Sequence, residues 1–293
     1  MTFHPDTLPD LKGKVFIVTG GNSGIGYFTV THLAEHGAHV YMCARSIEKG
    51  VAAIASIKKM YPLANIDLLQ MDLMDLTSVV AVAKHFLSSK LPYTAWHEAQ
   101  WQTNYLTHWV LTEHLLPMML RTAKTLPPGS VRIANLTSAG YLSAPNGGIN
   151  FPDLSLKDAG PMARYGQSKL VNKYGPGSAS ARNGEGEIWL SCVHPGMVET
   201  NLVTAVGDEA SDIKPVLPVF RLFGMIMSAD KGSYTSLFLV ASQDMKPEQS
   251  GTYCEIHKRL VEPRWQCSAA KDANLAERLE AWTKEEMKSE GWI

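Results

Sequence analysis

Residues 15–26 constrain this chain more than any other stretch. Val15-Phe16-Ile17-Val18-Thr19 is a short run of β-branched and aromatic residues, the composition that favours a buried strand. It ends at once in Gly20-Gly21-Asn22-Ser23-Gly24-Ile25-Gly26, and a helical pattern follows to about His36, with Gly37 placed as a C-cap. Glycines here let the backbone approach phosphate oxygens, and a helix N-terminus offers N–H groups that lack partners within the helix. A strand, a glycine-rich turn and a helix in that order predict a dinucleotide pyrophosphate site. Three glycines alone would equally serve an ordinary tight turn. The placement directly after the first strand favours the nucleotide.

Strand and helix then alternate. Residues 39–43 read as a second strand, 47–60 as a helix ended by Tyr61-Pro62, and 65–71 as a third strand. Thr77 or Ser78 is placed to cap a helix running to about Leu87. This rhythm predicts an α/β fold, a Rossmann-like doubly wound parallel sheet. The strand due next is not found, because Ser88-Ser89-Lys90-Leu91-Pro92-Tyr93-Thr94 is short, polar and broken by proline. The sheet is therefore expected to lack or replace its fourth strand. A helix follows over about 96–122, kinked at Pro117. Residues 131–136 read as a strand, 139–159 as a long loop, and the segment carrying Tyr165 and Lys169 as a helix. Residues 188–193 form a strand that runs into His194-Pro195-Gly196. Beyond an apolar, loop-rich insertion at 200–228 come a helix at 230–242, a last strand at 251–256 and an amphipathic helix at 274–288.

A formal net charge of -1 gives no electrostatic argument for nucleic acid or for an anionic membrane. Residues 1–11 hold no apolar core of a signal peptide. The most apolar late stretch, 216–227, contains Arg221 and is too short to span a bilayer, so no transmembrane segment is expected. Cys43, Cys192, Cys254 and Cys267 are far apart with no CxxC pair, as befits reduced thiols in a cytoplasmic protein. His32 and His36 stand at i and i+4 with no third ligand nearby, so no metal is expected. The sequon at Asn135 sits in a strand-like run and reads as a chance match. Residues 1–293 are read as a single domain.

Two more stretches carry chemistry. An acidic residue at the end of the second strand would hold the ribose 2′-OH of NAD. Here Cys43-Ala44-Arg45-Ser46 stands instead, and Arg45 can pair with the 2′-phosphate of NADP. Tyr165-Gly166-Gln167-Ser168-Lys169 puts a phenol and an ammonium on one helix face. A fixed lysine charge favours the phenolate. Lowering a tyrosine pKa by about three units takes about 4 kcal/mol, more than a solvated ion pair gives. A second positive charge, such as an oxidised nicotinamide, would help. By itself this spacing occurs on many solvated helix faces.

Together the stretches resemble the short-chain dehydrogenase/reductase family over nearly the whole chain, in the retinol-dehydrogenase-like branch common in fungi. The Thr19 to Gly26 turn and Tyr165-x-x-x-Lys169 match its two defining motifs. Asn135-Leu136-Thr137-Ser138, Asn104, Asp72-Leu73 and the run from His194 to Thr200 match further ones. The resemblance implies a catalytic set of Tyr165, Lys169, Ser138 and Asn104. It also implies NADP(H) contacts at Gly20, Ser23, Gly24, Ile25 and Gly26, at Arg45 and Asp72, and at Val198 and Thr200, with Asn104, Tyr165 and Lys169 shared. Tyr165 would be the general acid or base, Ser138 would bond the substrate oxygen, and Asn104 would hold a relay water behind Lys169. A small apolar carbonyl or alcohol substrate, a lid at about 200–228, a homodimer or homotetramer, and a place in fungal secondary metabolism are implied as well.

Two departures from the family pattern stand out. The family has a central strand ending in Asn-Asn-Ala-Gly, and no such tetrapeptide occurs here. Losing about four buried apolar residues forfeits about 6–12 kcal/mol, against a domain stability of about 5–15 kcal/mol. Gly175-Pro176-Gly177 also stands where the family has helix. The alternative to an active enzyme is therefore a degenerate, catalytically inactive relative or an incomplete gene product.

Overall fold

A computed structural model describes residues 3–85, 97–174, 188–198, 226–257, 259–261 and 266–293. The polar stretch at 88–94, the Gly175-Pro176-Gly177 break, Thr200 and nearly all of the 200–228 insertion lie outside the described residues.

The chain divides into two units. The first comprises Met1–Gln70, Pro195–Met245 and Glu255–Leu260. Its β1 (Val15–Thr19), β2 (His39–Ala44) and β3 (Asn65–Gln70) form a parallel sheet in the order β1-β2-β3. Val15 pairs with His39 and Thr19 with Cys43, while Ala44 pairs with Gln70. The carboxyl ends of the three strands are thus level, and ligands of open α/β sheets bind at that edge. Helix α1 (Gly24–Glu35) follows β1, and Gly37 (φ 87°) ends the turn after it in the left-handed region. Helix α2 (Ile47–Met60) is capped by Ser46, whose hydroxyl accepts from Lys49 N–H. Val30, Leu33, Val40, Met42, Ile57 and Leu237 belong to one buried cluster.

The second unit comprises Met71–His194, Lys246–Cys254 and Val261–Ile293. Helix α3 (Leu76–His85) is followed by α4 (Ala99–Trp101), a π-helical stretch (Gln102–Leu106) and α5 (Thr107–Thr125). Strands β4 (Arg132–Leu136) and β5 (Trp189–His194) are parallel, with Leu136 opposite Val193. Helix α6 (Pro161–Tyr174) lies between them in sequence. The sheet continues with β6 (Tyr253–His257) and β7 (Arg259–Val261) in the order β4-β5-β6-β7, of which Glu255–Leu260 are counted with the first unit. Helix α8 (Ala273–Ser289) is pinned to α5 and the π-helical stretch: the hydroxyls of Tyr105 and Thr283 are 2.8 Å apart, and Trp109 Nε1 donates to Glu280 (3.0 Å). Trp101, Tyr105, Trp109, Leu170, Leu279 and Met287 anchor its core. Helix α7 (Ala229–Ala241) belongs to the first unit.

The structure departs from the sequence reading in detail. Helix α3 starts before Thr77, because the Asp75 carboxylate, a charged acceptor, takes the Thr77 N–H (2.8 Å). The hydroxyl of Ser78 bonds instead to Asp72 and Asp75. The predicted loop after β4 opens with a 3-10 turn, Ala139–Ser143, and β7 is an additional strand.

Among the described residues no strand lies between α3 and α4. Val15 is exposed and the rest of β1 is half-buried; β4 is mostly half-buried, whereas β5 is buried along five residues. A parallel strand inside a doubly wound sheet is covered on both faces.

Candidate active site

In the first unit the glycine turn is built for close approach. Gly20 (φ 62°) and Gly24 (φ 52°) adopt left-handed conformations that strain any residue with a side chain. A Cβ on Gly26 would stand 2.4 Å from the Gly20 carbonyl oxygen, so the first turn of α1 rests on the end of β1. The Gly21 N–H donates to Cys43 O (3.1 Å) and extends the pairing with β2. Ser23 is the N-cap of α1, yet its side chain makes no capping hydrogen bond. The residues present therefore fit a pyrophosphate: unpaired N–H groups at a helix start, an uncommitted hydroxyl, and no side chain in the way. Arg45 follows β2 directly and is exposed, its carbonyl accepting from Gln70 Nε2 (3.4 Å).

Val198 forms a parallel bridge with Met227 and is buried. A Cβ on Gly232 of α7 would come within 2.7 Å of Val198 and 3.2 Å of Ile25. Two residues expected to touch the cofactor thus meet over a glycine that sequence reasoning missed. The one signal was a glycine inside a helix, which costs about 1 kcal/mol against alanine.

The second unit gathers the other predicted residues. Asp72 turns its own loop, with Oδ1 accepting from Met74 N–H (2.9 Å). That loop is tied to the π-helical stretch by Gln102 Nε2 donating to Met74 O, and to the first residue of α5 by Thr107 Oγ1 donating to Leu73 O, both at 2.6 Å. Asn104 sits in this stretch, a geometry frequent at functional sites. Its Nδ2 donates to Ser168 Oγ (2.9 Å), and that hydroxyl donates to Tyr165 O (2.8 Å). Asn104 is thereby fixed to the helix that carries Tyr165 and Lys169.

Ser138 caps the 3-10 turn, its Oγ accepting from Gly140 N–H (3.1 Å). Two glycines let α6 close on that turn. A Cβ on Gly140 would lie 2.6 Å from the Tyr165 ring, and one on Gly166 would lie 2.5 Å from Ala144 N. Neither glycine stood out in the sequence as a packing requirement. Tyr165 reaches a side-chain hydrogen bond with Ser138. Lys169 is 8% exposed; its Nζ donates to Leu136 O (3.2 Å) and lies 5.7 Å from the centre of the Tyr165 ring.

The electrostatics differ from the sequence expectation of a depressed phenol. Burial pushes the Tyr165 pKa up, and the Ser138 hydrogen bond only partly opposes this. Burial takes the Lys169 ammonium down to about 8. His108 is lowered to about 4 by burial and by repulsion from Lys169. In the protein alone the phenol is therefore neutral, because removal from water outweighs the Ser138 hydrogen bond.

Elsewhere His32 faces Asp230 (2.7 Å) and Glu35 (3.2 Å). None of the four cysteines forms a disulfide among the described residues. No helix among the described residues is long and apolar enough to cross a membrane.

A glycine turn at the carboxyl edge of a parallel sheet, and a tyrosine hydrogen-bonded to a strand-end serine near a buried lysine, define a Rossmann-like protein of the dehydrogenase kind. Residues 14–90 match the family model described as short chain dehydrogenase. The chain is 44% identical to the short-chain dehydrogenase/reductase drtF of Aspergillus calidoustus, covering 97% of this chain and 96% of that one. It is 30% identical to retinol dehydrogenase 12 of Mus musculus, over 92% of this chain and 84% of the relative. The chain belongs to the short-chain dehydrogenase/reductase family of oxidoreductases. Among solved structures, an uncharacterised protein from Mycobacterium paratuberculosis superposes with a TM-score of 0.71 at 26% identity, covering 98% of both chains. An NADPH-bound short chain oxidoreductase of Pseudomonas aeruginosa shares the fold, with a TM-score of 0.62, 20% identity, and coverage of 86% of this chain and 98% of that one. The alignment with drtF runs over 313 positions, more than the 293 residues here, so that relative carries residues this chain lacks.

Proposed function

We propose that this protein is an NADP(H)-dependent oxidoreductase interconverting a carbonyl and an alcohol on small apolar substrates. In this reading residues 1–293 form one NADP-binding domain with a lid at about 200–228. It works in the cytoplasm as a homodimer or homotetramer, and the fungal origin of relatives such as drtF supports a place in fungal secondary metabolism. The observation that carries the reading is the neutral Tyr165 phenol, hydrogen-bonded to Ser138 with the Lys169 ammonium beside it.

When bound, NADPH supplies the hydride that adds to the carbonyl carbon. Tyr165 gives its phenolic proton to the carbonyl oxygen, and its raised pKa keeps that proton available across the neutral range. Ser138 donates to the same oxygen and holds it in place. Lys169 steadies the phenolate left behind and holds the nicotinamide ribose. Asn104 holds a water through which the proton is restored. Gly20, Ser23, Gly24, Ile25 and Gly26 hold the pyrophosphate, Arg45 the 2′-phosphate and Asp72 the adenine. Val198 and Thr200 hold the nicotinamide amide. The test is NADPH oxidation with a panel of apolar aldehydes and ketones, alongside Tyr165→Phe. Turnover is expected to fall by at least about a hundredfold in the variant; equal rates would sink the assignment.

A second reading, an inactive relative or incomplete gene product, is favoured by the half-exposed β1 and β4 and by the longer alignment with drtF. Reading the transcript across the codons for residues 86–96 separates the two. A skipped coding segment there would support it; an uninterrupted reading frame with measurable turnover would dismiss it.

A further inference from the structure

Lys169 and Asn172 are three residues apart on α6 and so share a face. Both reach the same acceptor: Lys169 Nζ donates to Leu136 O at 3.2 Å and Asn172 Nδ2 at 3.3 Å. The backbone of this turn is held independently, with Thr137 Oγ1 donating to Lys169 O (2.6 Å) and Cys192 Sγ to Asn172 O (2.9 Å). The side chain of Asn172 is therefore not needed to dock the helix. Asn172 is 4% exposed, and its Oδ1 is buried without a hydrogen-bond partner among the described residues. An ammonium has three N–H donors, and the structure gives that of Lys169 one protein acceptor. A surplus donor and a surplus acceptor thus stand around one carbonyl. A buried acceptor left unmade is costly and calls for a cause.

We propose that Asn172 is a positioning residue for Lys169: its Nδ2 fixes the Leu136 carbonyl on which the ammonium rests. The inference rests on the functional reading above, in which Lys169 acts as a cation beside Tyr165. Tyr165 and Lys173 lie one turn to either side of Lys169 on its own helix, His108 on α5 is repelled by it, and Cys192 on β5 bonds the neighbouring Asn172 and Lys173 carbonyls. Among the described residues no carboxylate pairs with it. Neutral dipoles alone hold this charge, so removing one of them acts directly on it.

Two variants test this, Asn172→Leu, which removes both amide atoms, and Asn172→Asp, which keeps an acceptor and adds charge. The full-length protein is labelled with 13C at lysine Cε, and the Lys169 signal is identified by its loss in Lys169→Arg. Its titration midpoint is expected to fall by about one pH unit in the leucine variant and to rise by at least as much in the aspartate variant. In steady-state assays the leucine variant loses about tenfold in kcat with an unchanged carbonyl KM, and the aspartate variant recovers part of it. The aspartate variant shows that position 172 reaches the ammonium, since a nearby carboxylate raises its midpoint, and the uncharged leucine variant reads the loss of the native amide. A leucine-variant midpoint within about 0.2 unit of wild type overturns the proposal. The titration needs no turnover, so a wild-type protein inactive on every carbonyl would defeat the functional reading while the midpoints still decide the role of Asn172.

Discussion

Burying the Lys169 ammonium takes its pKa from the ordinary 10.5 to about 8. Below about pH 8 the folded and unfolded chains both hold the proton, and the folded state carries the full cost of a buried charge. Between that value and 10.5 the unfolded chain keeps a proton the folded one has lost, so stability climbs with pH across this window. Lys169→Met removes the charge, while Leu136 O keeps the Asn172 amide as a donor. The variant is expected to be more stable than wild type at pH 7, by about 1–3 kcal/mol in urea unfolding, with the gain shrinking towards pH 10. It should at the same time lose carbonyl reduction. A variant less stable than wild type at pH 7 would show that the ammonium is better solvated than its burial implies. The sequence placed Tyr165 and Lys169 side by side, since i and i+4 always share a helix face. It did not give the direction of the Tyr165 shift, because spacing carries no information on burial. Nor did it give Gly140 and Gly166, whose lack of a side chain matters only once α6 lies on the turn after Ser138.

Helices and strands were legible wherever one residue type dictates a local outcome. Gly37 ends α1, Ser46 starts α2, and the β-branched run at 15–19 became β1. The π-helical stretch around Asn104 was not legible, because its sequence is that of an ordinary helix and its distinguishing bond goes to the Asp72 loop. Gly232 in α7 belongs to the same class, as its meaning depends on Val198 and Ile25 packing across it. Gly232→Ala tests that packing with two opposed effects. Alanine in a helix interior gains about 1 kcal/mol over glycine, while a methyl forced against Val198 costs about 1–3 kcal/mol. Backbone and β-branched side chains yield little, so a lower melting temperature and a several-fold higher NADPH KM are expected. Thermal scans and an NADPH titration at saturating carbonyl read both quantities. A raised melting temperature with unchanged KM would mean that Val198 has room and plays no part in holding the cofactor.

At the scale of the whole chain, the alternation of strand and helix specified the fold class, and the polar stretch at 88–94 flagged the place where that alternation fails. What no local pattern conveys is how the described residues of each unit pack. The first unit has its own apolar cluster around Val30, Leu33, Met42 and Ile57, and the second has one around Trp101, Trp109, Leu170 and Met287. Among the described residues β1 pairs only with β2 and β4 only with β5. Cooperative unfolding of a domain rests on a shared core and continuous pairing. The tryptophans offer a probe, since those among the described residues, Trp101, Trp109, Trp189, Trp282 and Trp292, all belong to the second unit. Their fluorescence follows the second unit, while far-UV circular dichroism follows the helices and strands of both. In urea without nucleotide the two signals are expected to give different midpoints. Saturating NADP at about a hundred times its Kd adds about 2.7 kcal/mol to whatever binds it, and should move the dichroism curve, because the glycine turn lies in the first unit. Superimposable curves in the absence of nucleotide would show that residues beyond those described restore a single cooperative core.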